Sequence, residues 1–290
     1  MILQALHTTT YSYSEPVSLC HTEVRLRPRA DSGQRLLEHR LTVEPEPSSI
    51  TAHSDFFSND VSTLTIGEPH TILRITATSL IESNSAEAIH SALTPPWEQV
   101  RDAVREYRTG AAFAAFQFTF DSPRIPLTKA FADYAFPSFT TNRPILQCAT
   151  ELCQRIFTDF KYDSKATTVT TSVEQVFRTR LGVCQDFAHV MIACLRALRL
   201  PARYVSGYLR TGENGTGATA SHAWVAIYCP GFDWLDLDPT NNVMPSTNHV
   251  TLGWGRDYSD VPPVKGVAIG GGDQAVKVEV HVVPKDYADC

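Results

Sequence analysis

Cysteine is scattered through this chain without a pattern. There are seven in 290 residues, an odd count, and no two stand as a C-x-x-C pair. A disulfide framework and a structural zinc site both need recurring spacings. Neither is expected, no cofactor or metal is implied, and the setting reads as reducing and cytoplasmic with most thiols free. Basic stretches are missing as well: 25 Lys and Arg stand against 31 Asp and Glu, a net charge of -6. That removes the electrostatic footprint of a nucleic-acid binder. No apolar run is long enough to span a bilayer. The start, Met1 to His7, has neither a basic n-region nor a sustained apolar h-region, so no signal peptide is expected. What remains is ordinary globular composition, 43% apolar and 19% charged, in a chain long enough for one large domain or two ordinary ones.

The order of patterns divides the chain near residue 92. Before it, Ile2 to Tyr11 is β-rich, and Thr22–Arg27, Arg40–Glu44 and Thr71–Thr78 alternate with period two, with turn clusters at Pro45–Ser49 and Gly67–Pro69. Short strands separated by turns suggest an antiparallel β-sandwich over residues 1–92. After a linker at Leu93–Trp97, helices are expected over 97–107, 126–136, 145–160 and 173–180, the last closed by Gly182 as a glycine C′ residue. The run from Cys184 to Arg199 carries an apolar stripe and stops at Pro201. Strand-like runs follow at 202–209, 221–228 and 234–238, with a glycine-rich loop at 211–219. From Asn241 the chain reads as irregular up to Gly270–Gly272, before a last strand at 275–283. The fold class is therefore α+β, with residues 93–290 as the second part.

Cys184 is the residue of most chemical interest. It stands where a helix begins, so unpaired N–H groups and the positive end of the helix dipole favour a thiolate there and can face an oxyanion. Cys194, mid-stripe on the same helix, reads as core. His222 lies on a strand whose alternation puts it on one face with Trp224, Ala226 and Tyr228. The next strand places Trp234, Asp236 and Asp238 on one face. With the hairpin turn centred between Pro230 and Gly231, residue 238 falls opposite 223; a bulge or a one-residue shift would bring it opposite His222. Asp236 and Asp238, two apart on one face, cannot be told apart by pattern. Cys, His and Asp on such elements form the parts of a thiolate acyl-transfer site: nucleophile, proton carrier and the carboxylate that orients it.

Other residues compete for attention. His189 is a rival base, but five helical residues turn it about 140° away from Cys184, which fits a supporting role. Asp186, in the first turn, suits the dipole yet opposes a thiolate. Arg25, Arg27 and Arg29 alternate along one strand and read as a solvated edge rather than an anion-binding patch. Trp224 and Trp234 are either core anchors or walls of a cleft.

Four segments together resemble the bacterial branch of the transglutaminase-like superfamily: Gly182–His189, Pro201–Tyr208, Ser221–Trp224 and Asp238–Asn241. Gly255–Pro263 is similar to a segment that follows that core. Asp55–Val61 with Pro69–His70 resembles the β-rich region that often precedes it, except that a glycine is common where Ser58 stands. The resemblance implies a papain-like core, in which a helix-borne cysteine packs on an antiparallel sheet carrying His and Asp. It further implies Cys184 as nucleophile, His222 as base and Asp238 as its orienter. The implied activity is cleavage of a peptide or isopeptide amide through a thioester, as a cysteine protease or amidase acting on a peptide or protein. Protein-glutamine gamma-glutamyl transfer, or a non-catalytic protein that keeps the fold, are the alternatives. Clustered acidic loops of the calcium-binding kind are not seen.

Overall fold

The computed structural model describes residues 1–31, 33–84, 89–210 and 220–285. Five strands open the chain: β1 (Ile2–Val24), β2 (Gln34–Glu44), β3 (Ser49–Ser54), β4 (Asp60–Ile66) and β5 (His70–Ser83). Four helices follow, α1 (Trp97–Arg105), α2 (Gly110–Phe116), α3 (Lys129–Ala135) and α4 (Ile145–Asp159). Then come β6 (Lys161–Tyr162), α5 (Val173–Thr179), β7 (Leu181–Gly182) and α6 (Cys184–Ala197). The remainder is β8 (Ala202–Leu209), β9 (His222–Cys229), β10 (Asp233–Leu237), β11 (His249–Gly255), β12 (Val264–Gly270) and β13 (Gln274–Lys285).

One strand organises the front of the molecule. The first half of β1 runs between β5 and β13, and its second half between β4 and β12, with β2 and β3 outside. The changeover falls where the β5 register jumps from Ser12 to Val17. Pro16 has no N–H to give a ladder. The flanking turns meet it at the same level, Gly271 N–H bonding to the Pro16 carbonyl at 3.2 Å. The two halves enclose one core, in which Leu3, Leu73 and Ile75 meet Cys20, Leu64 and Ile66. This is the expected antiparallel sandwich, with two corrections. The segments read as separate strands at 2–11 and 22–27 belong to one strand that switches partners. Residues 264–285, placed with the second part, pair instead with β1, Ile2 opposite Lys285. Strand pattern announces a strand but not its partner.

The second part is a four-stranded antiparallel sheet, ordered β10-β9-β8-β11, with α6 and α4 on one face and α2 packed against Tyr228 and Trp234 of the other. α6 is the central helix: every residue from Asp186 to Arg196 is buried. Arg196, fully buried, is held by the Ala202 carbonyl at 2.8 and 3.0 Å, the Arg256 carbonyl at 2.6 Å, the Phe120 carbonyl and Ser122 Oγ. Such a cation is tolerable inside only because its N–H groups are satisfied. Burial still pushes its pKa down to about 9. The segment after Asn241 is not irregular throughout: β11 and β12 lie in it. β11 carries two glycines in seven residues, which weakens any strand signal. α2, rich in alanine and phenylalanine, was not expected from the sequence.

Candidate active site

The geometry begins at the start of α6. The first intrahelical bond runs from Phe187 N–H to the Val183 carbonyl, 3.1 Å. The N–H groups of Cys184, Gln185 and Asp186 therefore have no intrahelical acceptor. Asp186 Oδ2 accepts from Val183 N–H at 2.9 Å and from Thr167 Oγ1 at 2.6 Å. This is half of a capping box, because Val183 has no oxygen to return the bond. Gly182 makes that approach possible: a Cβ there would lie 2.6 Å from Asp186 Oδ2. Its role differs from the expected one. The left-handed residue that ends α5 is Arg180, with φ 60°, and Gly182 pairs in β7 with Tyr162.

Cys184 is half-buried, whereas Cys20, Cys148, Cys153, Cys194 and Cys229 are buried. Burial pushes the thiols of Cys148, Cys153, Cys194 and Cys229 up to about 12, which disqualifies them as nucleophiles near neutral pH. Cys290 lies outside the described residues, as does the loop at 211–219.

His222, the first residue of β9, is 5% exposed. Its Nε2 donates to Asp238 Oδ2 at 2.7 Å, and the ring lies close enough to Cys184 for the sulfur to favour its charged form. With Nε2 engaged, Nδ1 is the nitrogen left for the sulfur. Burial opposes charge on His222, but the bond to Asp238 and the nearness of Cys184 and Asp238 outweigh it and raise its pKa to about 10. Asp238 is fully buried. Burial would raise its carboxyl, yet hydrogen bonds from His222 and His249, the His222 charge and Asn241 hold it well below the usual carboxylate range. Its Oδ1 accepts from the N–H groups of Thr240 and Asn241, at 2.9 and 3.2 Å.

The hairpin brings these residues together differently from the sequence arithmetic. Its turn holds three residues, so Trp234 pairs with Tyr228 and Leu237 with Val225. Continued, that register puts Asp238 level with Trp224, and the carboxylate reaches His222 diagonally, along one face. Asp236 is occupied elsewhere: its Oδ2 accepts from Trp224 Nε1 at 3.1 Å. The structure thus separates the two aspartates that the pattern left equivalent. His189 does not face the sulfur. Its Nε2 accepts from Tyr258 N–H at 3.2 Å, and burial pushes its pKa well down.

Three residues at the site carried no warning as such. His249, on β11, donates from Nε2 to the same Oδ2 of Asp238 at 3.2 Å. It lay in a stretch read as irregular. Tyr162, exposed, and Tyr204, buried, lie close enough to Cys184 for a negative sulfur to add to the burial that raises their phenols. One side-chain N or O atom from each of His222, Asp238 and His249 lies within 4.8 Å of the other two; hydrogen bonds join both imidazoles to the carboxylate.

Behind the sheet is a cavity of about 780 Å³, lined by Asp31, Arg203, Trp224, Trp234, His249 and Trp254 among others. Trp224 is fully buried and Trp234 partly so, so each is at once an anchor and a wall. The Arg203 guanidinium lies 4.3 Å from the Trp234 ring and 3.7 Å from Trp254, and that of Arg29 lies 3.5 Å from Trp254. Arg29 also bonds the Ser58 carbonyl and Asn59 Oδ1, and Arg25 pairs with Glu23 and Asp55. Of the three alternating arginines only Arg27 is the solvated edge expected; Arg25 and Arg29 are tied down where the front sheet meets the second part. Ser58 has φ 60°, a conformation that favours glycine.

A sandwich leading into a helix-borne cysteine, set against a sheet that carries a His–Asp pair, defines the transglutaminase-like class. The comparisons agree. Residues 3–82 match the family model for the bacterial transglutaminase-like N-terminal region, and 133–239 that for the transglutaminase-like superfamily. An uncharacterized protein of Mycobacterium tuberculosis is 38% identical over 291 residues, covering 96% of this chain and 91% of that one. The chain belongs to the transglutaminase-like superfamily. A protein-glutamine gamma-glutamyltransferase of Pseudomonas aeruginosa is 40% identical over 76 residues, 24% of this chain and 11% of that one. A crystal structure described as "a Putative Cysteine Protease from Cytophaga hutchinsonii" superposes with a TM-score of 0.76 at 22% identity, covering 99% of this chain and 92% of that one. Among the described residues no helix is long and apolar enough to cross a membrane.

Proposed function

We propose that this protein is a cysteine-dependent acyl-transfer enzyme that cleaves amide bonds in a peptide or protein substrate. One observation carries the reading: His222 is bonded to Asp238, at 2.7 Å, and lies close enough to Cys184, at the open start of α6, for the sulfur to favour its charged form. In the proposed reaction the Cys184 sulfur, its proton held by His222, attacks the carbonyl carbon. The resulting oxyanion faces the free N–H groups of the helix start. His222 then gives its proton to the leaving amine as the C–N bond breaks, and a thioester remains on Cys184. Water, deprotonated by His222, attacks the thioester and frees the acid and the thiol. Asp238 keeps the imidazole oriented and balances its charge.

Hydrolysis is the first reading because the fold is shared over almost the whole chain with a structure that carries a protease name. Amine transfer is the second, supported by the 76-residue likeness to a gamma-glutamyltransferase. The test offers a panel of peptide amides with and without a primary amine and follows products by mass. Released acid in both arms supports hydrolysis; an amine adduct that replaces the acid supports transfer. Both products should vanish in Cys184→Ala. Turnover that persists in Cys184→Ala, or no product from any amide, overturns the proposal.

A further inference from the structure

Asp238 accepts more hydrogen bonds than orienting one imidazole requires. Its Oδ2 takes His222 Nε2 and Asn241 Nδ2, both at 2.7 Å, and also His249 Nε2 at 3.2 Å. His249 comes from β11, separated from β9 by β8. Its ring meets Trp224 edge to face at 5.3 Å. Trp224 in turn lies over Gly207 of β8, where a Cβ would stand 2.5 Å from the indole. The ring of His249 is thus fixed by packing, and it is 8% exposed. Its Nδ1 is buried with no partner. A buried imidazole with one nitrogen unsatisfied is costly, so the bond it does make is the reason for the arrangement.

We propose that His249 is a positioning residue: it braces Asp238 from a second strand and, by sharing Oδ2, limits how strongly the carboxylate grips the His222 imidazolium. This rests on the acyl-transfer reading for its consequence but not for its geometry. A carboxylate that accepts fewer hydrogen bonds is a better base and a stronger partner for a cation. Without His249, His222 should hold its proton more tightly and deliver it to the leaving amine less readily. The groups that face His222 are Cys184 from α6, Asp238 from the end of β10 and His249 from β11; Cys153 on α4 also feels the Asp238 charge.

The experiment titrates His222 by NMR on protein labelled at histidine, in wild type, His249→Phe and His249→Gln. Phenylalanine keeps the ring against Trp224 and removes the donor; glutamine keeps an N–H that can reach Asp238. The midpoint of His222 should rise by about half a pH unit or more in the Phe variant and stay near wild type in the Gln variant. Amine release should slow by about threefold or more in the Phe variant only. Wild type and His249→Phe titrating together, or Gln behaving as Phe does, would overturn the proposal. Should the Phe variant not fold, wild type still decides. Downfield Nε2–H signals from both histidines, both lost in Asp238→Asn, support the sharing, and a signal from His222 alone contradicts it. A wild type that turns over no amide while these titrations hold would sink the proposed reaction and leave the role of His249 standing.

Discussion

At the scale of single residues, the candidate site is an exercise in satisfying one buried carboxylate. Five donors converge on Asp238, so its charge is stabilised where burial alone would neutralise it. The consequence for stability has a defined sign. The folded pKa of His222, about 10, lies above its ordinary 6.5. The pair therefore contributes fully below the ordinary value, and that contribution is lost as pH rises through the folded one. Asp238, held low, contributes above its ordinary 3.8 and loses that contribution as acid protonates it. Thermal midpoints measured from neutral pH upward should fall more steeply in wild type than in Asp238→Asn, and parallel curves would refute the assignment. The sequence placed Cys184 at a helix start and His222 on an alternating strand, and both stand there in the structure. It could not choose between Asp236 and Asp238, since that choice depends on a turn of three residues instead of two. His249 was illegible because hydrogen bonds between distant strands leave no periodicity.

Secondary elements explain how the cysteine is held. α6 is legible in sequence because its apolar positions recur with helical spacing and Pro201 closes it. Its entry is not legible, since it depends on Asp186 folding back over a glycine. Gly182→Ala places a methyl group where the carboxylate sits, 2.6 Å from Oδ2. It should cost about 1–3 kcal/mol in chemical denaturation and slow Cys184 chemistry through the displaced helix start. An unchanged denaturation midpoint would show that Asp186 moves aside freely. β11 lacks a strand signal for a related reason. Glycines at 253 and 255 exist because side chains of Asn59 and Asp260 occupy the space a Cβ would take, and those contacts erase the strand signal.

On the scale of the whole molecule, the two parts complete one another. β12 and β13 finish the front sheet, and Tyr208, Val250 and Leu252 of the second part fill the front core. Asn59, 1% exposed, stitches the seam: it donates to the Trp254 carbonyl at 2.9 Å and to Asp55, and accepts Trp254 N–H at 3.0 Å. Calorimetry should show a single unfolding transition, and Asn59→Ala should lower it by about 2–4 kcal/mol, for a buried network broken on one side. Two separate transitions would mean that the halves are independent. The change from strands to helices near residue 92 could be read from composition. The return of the last strands could not, because β1 and β13 pair across nearly the whole chain.

Exposure alone would let Cys184 react before the buried thiols, so the decisive measurement must ask what His222 does to it. Rates of iodoacetamide alkylation at Cys184, quantified by peptide mass, should be followed against pH in wild type and His222→Gln. If imidazole and sulfur form the working pair, wild type keeps reacting at mildly acidic pH, while the variant loses reactivity there as an ordinary thiol does. Coincident profiles would contradict the pairing and, with it, the acyl-transfer function.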